Sequence, residues 1–143
     1  MVAGAMQLEE PYRAEHGWDS LYGLEVTEFS EEHAAGRVAV SDQLKQPAGL
    51  VHGGVFASIA ESLASMATAL AVREENKVAM GLSNQTSFVR PITAGTIHAQ
   101  AMRRHRGSTT WVWDIEIRDD SDRLCALTRM TVAVRPPSRR SGW

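Results

Sequence analysis

A chain of 143 residues, 43% hydrophobic and 22% charged, has the size and composition of one folded domain with a sizeable core. Its formal charge of -2 argues against a general nucleic-acid binder, which would be clearly basic. The single cysteine, Cys125, excludes an internal disulfide and a four-cysteine zinc site.

The N-terminus lacks the basic start and apolar core of a signal peptide, and no apolar stretch is expected to reach the roughly 20 residues of a membrane span. The expectation is a cytoplasmic protein without membrane association. Residues 1–20 read as an N-terminal lead, 21–135 as the domain and 136–143 as a flexible tail, with no internal repeat and no Gly/Ser linker. "AEHGWDSLYG" predicts a brief helical turn before Gly23. "LEVTEFS" (24–30) and "GRVAVS" (36–41) alternate with period two and carry β-branched residues, so they predict a hairpin, with "EEHAAG" as its turn. "DQLKQPAG" follows as a loop broken by Pro47 and Gly49.

From Gly54 to about Val72 the spacing predicts a helix. Val55, Phe56, Ile59, Leu63, Met66, Ala67 and Leu70 recur at three- and four-residue steps, and no proline intervenes. Its other side carries Ser58, Glu61, Ser62, Ser65 and Thr68 among alanines instead of charges, which predicts a buried helix. Strand-like segments follow at roughly 78–89, 95–105, 109–118 and 123–134, separated by "RPITAG", "RGS" and "DDSD". Cys125 falls in the last of these as a small core residue, and Trp111 and Trp113, two apart, point the same way for core or interface packing. Two strands, one long helix and four antiparallel strands indicate an α+β fold whose sheet wraps around a central helix.

Chemistry concentrates in "QPAGLVHGGVFASIAESLAS", residues 46 to 65. Gly53 and Gly54 stand where the first unpaired N–H groups of the helix point outward, a place suited to an oxyanion or a polarised carbonyl oxygen. Two glycines also suffice for a tight loop-to-helix turn. Glu61 is a carboxylate in an apolar helix, four residues from Ser65 on one face; it could pair with a distant arginine or do chemistry. Gly53 or Gly54 and Glu61 are separated by about 11 Å of helix rise, so one small reacting group cannot touch both in a single chain. If they act together, the carboxylate must meet the turn of a second subunit, as two antiparallel helices around a twofold axis would arrange.

Gln46, His52-Gly53-Gly54, Glu61 and Ser65 at these spacings closely resemble the active-site segment of hotdog-fold acyl-CoA thioesterases. The likeness is strongest to the branch with phenylacetate-pathway thioesterases, the proofreading thioesterase of enterobactin synthesis and one type of 4-hydroxybenzoyl-CoA thioesterase. It extends over roughly 20–135, including "RPITAGTIHAQAMRRHRG". The resemblance implies a sheet of five to six strands around the helix, and protomers joined edge to edge as a homodimer assembled into a homotetramer. It implies Glu61 as nucleophile or general base, the Gly53 N–H as the carbonyl's polariser, Gln46 and His52 as positioning groups and Ser65 as a hydroxyl that orients water or Glu61. Gly54 joins the substrate-binding set. No metal or separate cofactor is implied; coenzyme A belongs to the substrate, which is an acyl-CoA or acyl carrier protein thioester.

Arg103, Arg104 and Arg106 with Ser108, at a strand end and turn, suit either a solvated charged face or, given the resemblance, contacts to CoA phosphates. Arg90, beside Pro91, is a weaker candidate on the same logic. Two other readings stand against thioester hydrolysis: a non-catalytic acyl-CoA sensor and a hotdog dehydratase. The first usually carries an added DNA-binding segment, and the second a longer His-Phe-Pro-Gly loop that is missing here.

Overall fold

In the computed structural model, residues 6–138 are described, in the order β1 (Met6–Tyr12), α1 (Trp18–Tyr22), β2 (Glu25–Phe29), β3 (His33–Ala39), α2 (Gly53–Val72), β4 (Val78–Phe88), β5 (Thr96–Arg106), β6 (Thr110–Arg118) and β7 (Leu124–Arg135). Every strand pairing is antiparallel, and the sheet order is β1-β2-β3-β5-β6-β7-β4. The chain leaves β3, runs through α2 to the far edge as β4, and returns to place β5 beside β3. That excursion lays α2 across the sheet and leaves β4 with one unpaired edge.

The helix packs by its three- and four-residue stripe. Val55, Phe56, Ile59, Ala60, Leu63, Ala64 and Ala67 are all buried. They meet alternate residues of the strands: Val38, Ile97, Ala99, Ala101, Trp111, Trp113, Ile115, Ile117 and Val132. Small residues set the close approach. A Cβ on Gly36 would stand 2.9 Å from the Glu25 carbonyl oxygen and 3.2 Å from Leu63, so β3 requires glycine where α2 crosses it. The hydroxyl of the fully buried Thr68 is paired twice: Oγ1 donates to the Ala64 carbonyl at 2.7 Å and accepts from Trp113 Nε1 at 2.9 Å. Trp111 and Trp113 are core residues with ring centroids 6.4 Å apart, and Cys125 is buried.

The wrapped-helix α+β architecture is the one expected, with four corrections. The sheet has seven strands, because the segment read as a lead forms β1 and pairs with β2. Its sequence, MQLEEPY, is polar and carries Pro11, features tolerated at an edge that hide a strand from periodicity. The first hairpin turn is shorter than "EEHAAG", since β3 begins at His33; Ser30 Oγ accepts from the Glu32 and His33 N–H groups and closes it. The helix begins at Gly53 and, over 53–75, is long and apolar enough to cross a membrane by length and composition, contrary to expectation. About half of its most apolar window is buried inside this domain. Finally, α2 is not buried all round: Glu61 and Leu70 are exposed, because the sheet covers only one side of the helix. Of the expected tail 136–143, residues 139–143 lie outside the described residues.

Candidate active site

The His-Gly-Gly turn is held by its own backbone before anything binds. The Val51 N–H donates to the Ile92 carbonyl and the His52 N–H to the Leu44 carbonyl, at 2.9 and 2.8 Å. Lys45 and Val51 form an antiparallel bridge around Gln46 to Leu50, and Gly49 takes the left-handed conformation the tight loop requires. Within this loop Gln46 Oε1 accepts from the Ala48 N–H at 2.5 Å, leaving its amide nitrogen without a partner among the described residues.

His52 caps α2. Its Nδ1 accepts from the Gly54 N–H at 2.8 Å, which puts the proton of the neutral ring on Nε2. A Cβ on Gly54 would lie 2.9 Å from that Nδ1, so the second glycine makes room for the cap. The two glycines therefore differ. The Gly54 N–H is occupied, whereas the Gly53 N–H has no partner among the described residues and stands at the positive end of a twenty-residue helix. Gly53 also carries the Phe88 ring, whose Cε1 would be 2.7 Å from an added Cβ. Leu50, His52, Gly53, Phe56, Phe88 and Arg90 line a cavity of about 530 Å³ here.

Glu61 opens into a different cavity. This one, about 570 Å³, is walled on α2 by Ser58, Glu61, Ser62, Ser65, Met66 and Ala69 and on β4 by Ala79. Glu61 makes no hydrogen bond or ion pair among the described residues, and its carboxylate lies against Gly81 of β4. Ser65 Oγ, below it on the same face, is buried with no hydrogen-bond partner. Buried hydroxyls are nearly always paired, so this atom is available to something the chain alone does not supply. The two cavities have no lining residue in common. Gln46, His52 and Gly53 are thus gathered at one end of α2, and Glu61 with Ser65 further along it.

The arginines divide in an unexpected way. Arg103 donates to the Glu31 carbonyl at 2.7 Å and lies over the Trp111 ring. Arg104 pairs with Asp114, and Arg106 bridges Glu31 and Glu75. Ser108 lines a small cavity with Glu75, Lys77 and Arg106, beyond the C-terminal end of α2. Twenty residues of helix, about 30 Å, separate that end from Gly53. Arg90, the weaker sequence candidate, is the one beside the His-Gly-Gly turn, and its guanidinium makes no ion pair among the described residues.

Sequence reasoning missed the residues facing Glu61 from the N-terminal segment: Ala14, His16, Trp18 and Asp19. Trp18 Nε1 donates to Ser58 Oγ at 2.9 Å, and Ser62 Oγ donates to Asp19 Oδ1 at 2.6 Å. Tyr22 adds a second donor to the same Asp19 oxygen at 2.8 Å, and burial raises its hydroxyl pKa above the ordinary value. The partners are 40 and 43 residues apart. The one local signal was the run of serines on α2, which needs acceptors from somewhere.

Against this geometry, a model of the thioesterase superfamily matches residues 48–126. A 1,4-dihydroxy-2-naphthoyl-CoA hydrolase of Listeria monocytogenes is 31% identical over 119 residues, 83% of this chain and 96% of its own. The solved structure of a Pseudomonas aeruginosa thioesterase is 34% identical, with a TM-score of 0.78 over 82% of this chain and 84% of that one. Two structures of a Staphylococcus aureus thioesterase are 28% identical, with TM-scores of 0.78 and 0.79 over 81% and 82% of this chain and 96% and 97% of theirs. One carries a glutamine-to-alanine and the other a glutamate-to-alanine substitution fifteen residues apart, the spacing of Gln46 and Glu61. Family, fold and the extent of these matches agree: the chain belongs to the thioesterase superfamily and is a hotdog-fold thioesterase.

Proposed function

We propose that the protein hydrolyses acyl-CoA thioesters at two equivalent sites of a homodimer, each built from the His52–Gly53 turn of one protomer and Glu61 of the other. The observation that carries this reading is the separation of the unpaired Gly53 N–H and the unpaired Glu61 carboxylate into two cavities of one chain. The dimer contact is the free edge of β4. Val78, Met80, Leu82 and Phe88 are exposed on it, on either side of the polar run 83–87, and an unpaired edge of eleven residues is a template for pairing with a second copy. Joining β4 to its twofold mate would carry one protomer's turn toward the other's Glu61.

In this site the thioester carbonyl oxygen accepts from the Gly53 N–H. Glu61 either attacks the carbonyl carbon or takes a proton from a water that does; negative charge then develops on the oxygen held by Gly53. The C–S bond breaks and coenzyme A leaves as the thiolate. On the water route Glu61 returns its proton to that thiolate; on the direct route a water molecule hydrolyses the acyl–Glu61 anhydride, releasing the acid and restoring the carboxylate. His52 Nε2–H and the free Gln46 amide are donors for orienting the thioester, and Ser65 Oγ orients Glu61 or its water. Arg90, unpaired at the mouth of the turn, is the cation for a CoA phosphate. The glutamine and glutamate substitutions chosen in the S. aureus relative support the same pair here.

The experiment uses two defects that preserve the fold. Gly53→Pro deletes the N–H at the first helical position, where proline is tolerated. Gly53→Ala places the same Cβ against Phe88 but keeps the N–H, and so isolates the donor. Glu61→Gln removes the carboxylate. Each of the proline and glutamine homodimers should be nearly inactive, with Gly53→Ala clearly more active than Gly53→Pro. Refolded together at equal concentration, they should recover about a quarter of wild-type activity per protomer, because half of the dimers are mixed and each mixed dimer holds one intact site. No recovery, with mixed dimers verified by mass spectrometry, overturns the shared site.

A further inference from the structure

The wall facing Glu61 is α1, a five-residue helix bracketed by Gly17 and Gly23, both at positive φ, with Gly23 in the left-handed conformation. It is fastened to α2 through the Trp18–Ser58 and Ser62–Asp19 hydrogen bonds, not through a buried apolar stripe; only Tyr22 of α1 is buried. Trp18 is 60% exposed and stands at the cavity with its indole N–H tied down, which fixes the ring plane. One Asp19 oxygen, Oδ1, receives both Ser62 and Tyr22; the other has no partner among the described residues.

We propose that α1 is the acyl selector of this thioesterase, with Trp18 stacking on an aromatic acyl group and Asp19 accepting a hydrogen bond from a hydroxyl on its ring. The proposal rests on the Glu61 cavity being the reaction site. Three features carry it. An open cleft of about 570 Å³ lies in the ordinary range for a small-molecule site and has room for a ring system. Its lining mixes Met66, Ala69 and Ala79 with His16, Asp19 and four polar residues of α2. A long alkyl chain would strip water from those polar groups and return no hydrogen bond, whereas a hydroxylated ring satisfies them. A fixed, exposed indole supplies a flat apolar surface, worth about a factor of ten in favourable stacking.

The test compares kcat/KM for 4-hydroxybenzoyl-CoA, benzoyl-CoA and butyryl-CoA across the full-length wild type, Trp18→Ala, Trp18→Phe, Asp19→Asn and Glu61→Gln. Trp18→Ala should lose about ten-fold on both aryl thioesters but less than about two-fold on butyryl-CoA, and Trp18→Phe should restore most of the loss. Asp19→Asn should narrow the preference for the hydroxylated ring over benzoyl-CoA while leaving butyryl-CoA turnover near wild type. Equal losses on all three substrates would reduce α1 to a structural brace and overturn the selector, as would no loss on any, or a wild type that prefers butyryl-CoA. Glu61→Gln keeps the two claims apart. A dead Glu61→Gln with unchanged selectivity in the α1 variants sinks the selector alone; an active Glu61→Gln sinks the site.

Discussion

The two faces of α2 are built from the same small and hydroxylated residues yet keep different accounts of their polar atoms. On the sheet side, Ile59, Ala60, Leu63, Ala64 and Ala67 are sealed, and the hydroxyl of Thr68 both donates and accepts. On the cavity side, Ser58 and Ser62 are bonded, but Ser65 Oγ is buried without a partner and the Glu61 carboxylate stands unpaired. A stability-driven helix would not leave these groups open, since an unmatched buried hydroxyl costs about 1–3 kcal/mol. The difference separates the part of the helix that holds the fold from the part to which the proposed reaction is assigned.

The sharpest break of that comparison swaps one residue on each face. Glu61→Gln should reduce kcat by about 100-fold or more while the melting temperature hardly moves, because the carboxylate has no partner in the fold to lose. Leu63→Ala should do the reverse, costing about 2–5 kcal/mol of stability by opening a cavity between α2 and β3. Chemical denaturation beside turnover on each variant checks both. A Glu61→Gln protein that melts far below wild type, or one that keeps a third of its turnover, would erase the distinction between the faces.

Next in size is the hydroxyl that the core face does pair. Thr68→Val keeps the shape but leaves the fully buried Trp113 Nε1–H without its acceptor, for an expected loss of about 1–3 kcal/mol. Thr68→Ser should recover most of it. Urea unfolding of the two variants measures the difference, and equal stabilities would show that the hydroxyl is not what holds the indole.

How much of this was legible in the sequence follows from how far apart the interacting residues lie. α2 and the strands around Val38, Ile97 and Trp113 could be read because burial imposes a period, and the period is local. β1 could not: it is a polar edge strand with Pro11, and only its pairing to β2 makes it a strand. Glu61 and the His-Gly-Gly turn stood out from their chemistry, and the spacing between them is what the proposal of a shared site rests on. Trp18 and Asp19 gave no signal, because their partners Ser58 and Ser62 lie some forty residues on. The pairing of the arginines was hidden for a related reason. A basic run announces charge but not the carboxylates already holding it, so the cluster outranked the solitary Arg90.

That ranking yields a smaller effect, read at the mouth of the turn. Arg90→Ala should raise KM for a CoA thioester by about three- to ten-fold and leave a pantetheine-truncated thioester unchanged, as expected for one partly exposed charge-assisted phosphate contact. Arg106→Ala, which loses its pairs with Glu31 and Glu75, should leave KM for both substrates within about two-fold, since exposed ion pairs carry little energy and these lie at the other end of α2. Steady-state kinetics on both thioesters decides it. A larger KM effect from Arg106 than from Arg90 would return the phosphate site to the β5–β6 turn.

The smallest effect concerns a buried polar side chain on the sheet, outside α2. His33, at the start of β3, is 2% exposed; neither ring nitrogen has a hydrogen-bond partner, and its Nδ1 is 3.6 Å from Glu28 Oε2. Burial lowers its pKa below the ordinary value of 6.5, and the nearby Glu28 carboxylate only partly opposes this. The unfolded chain therefore takes up a proton near pH 6.5 while the folded chain resists it. Stability is full above that value and falls as the pH drops toward the folded pKa. The carboxylates Glu25 and Asp114 add no slope in this window, because their arginine partners hold them below the ordinary carboxylate range. Melting temperatures measured between pH 7.5 and 5.5 should decline for the wild type and decline less for His33→Leu, which fills the site without a titrating ring. The same decline in both proteins would mean that His33 titrates freely despite its burial, and that an unpaired polar atom in this fold need not carry an energetic signature.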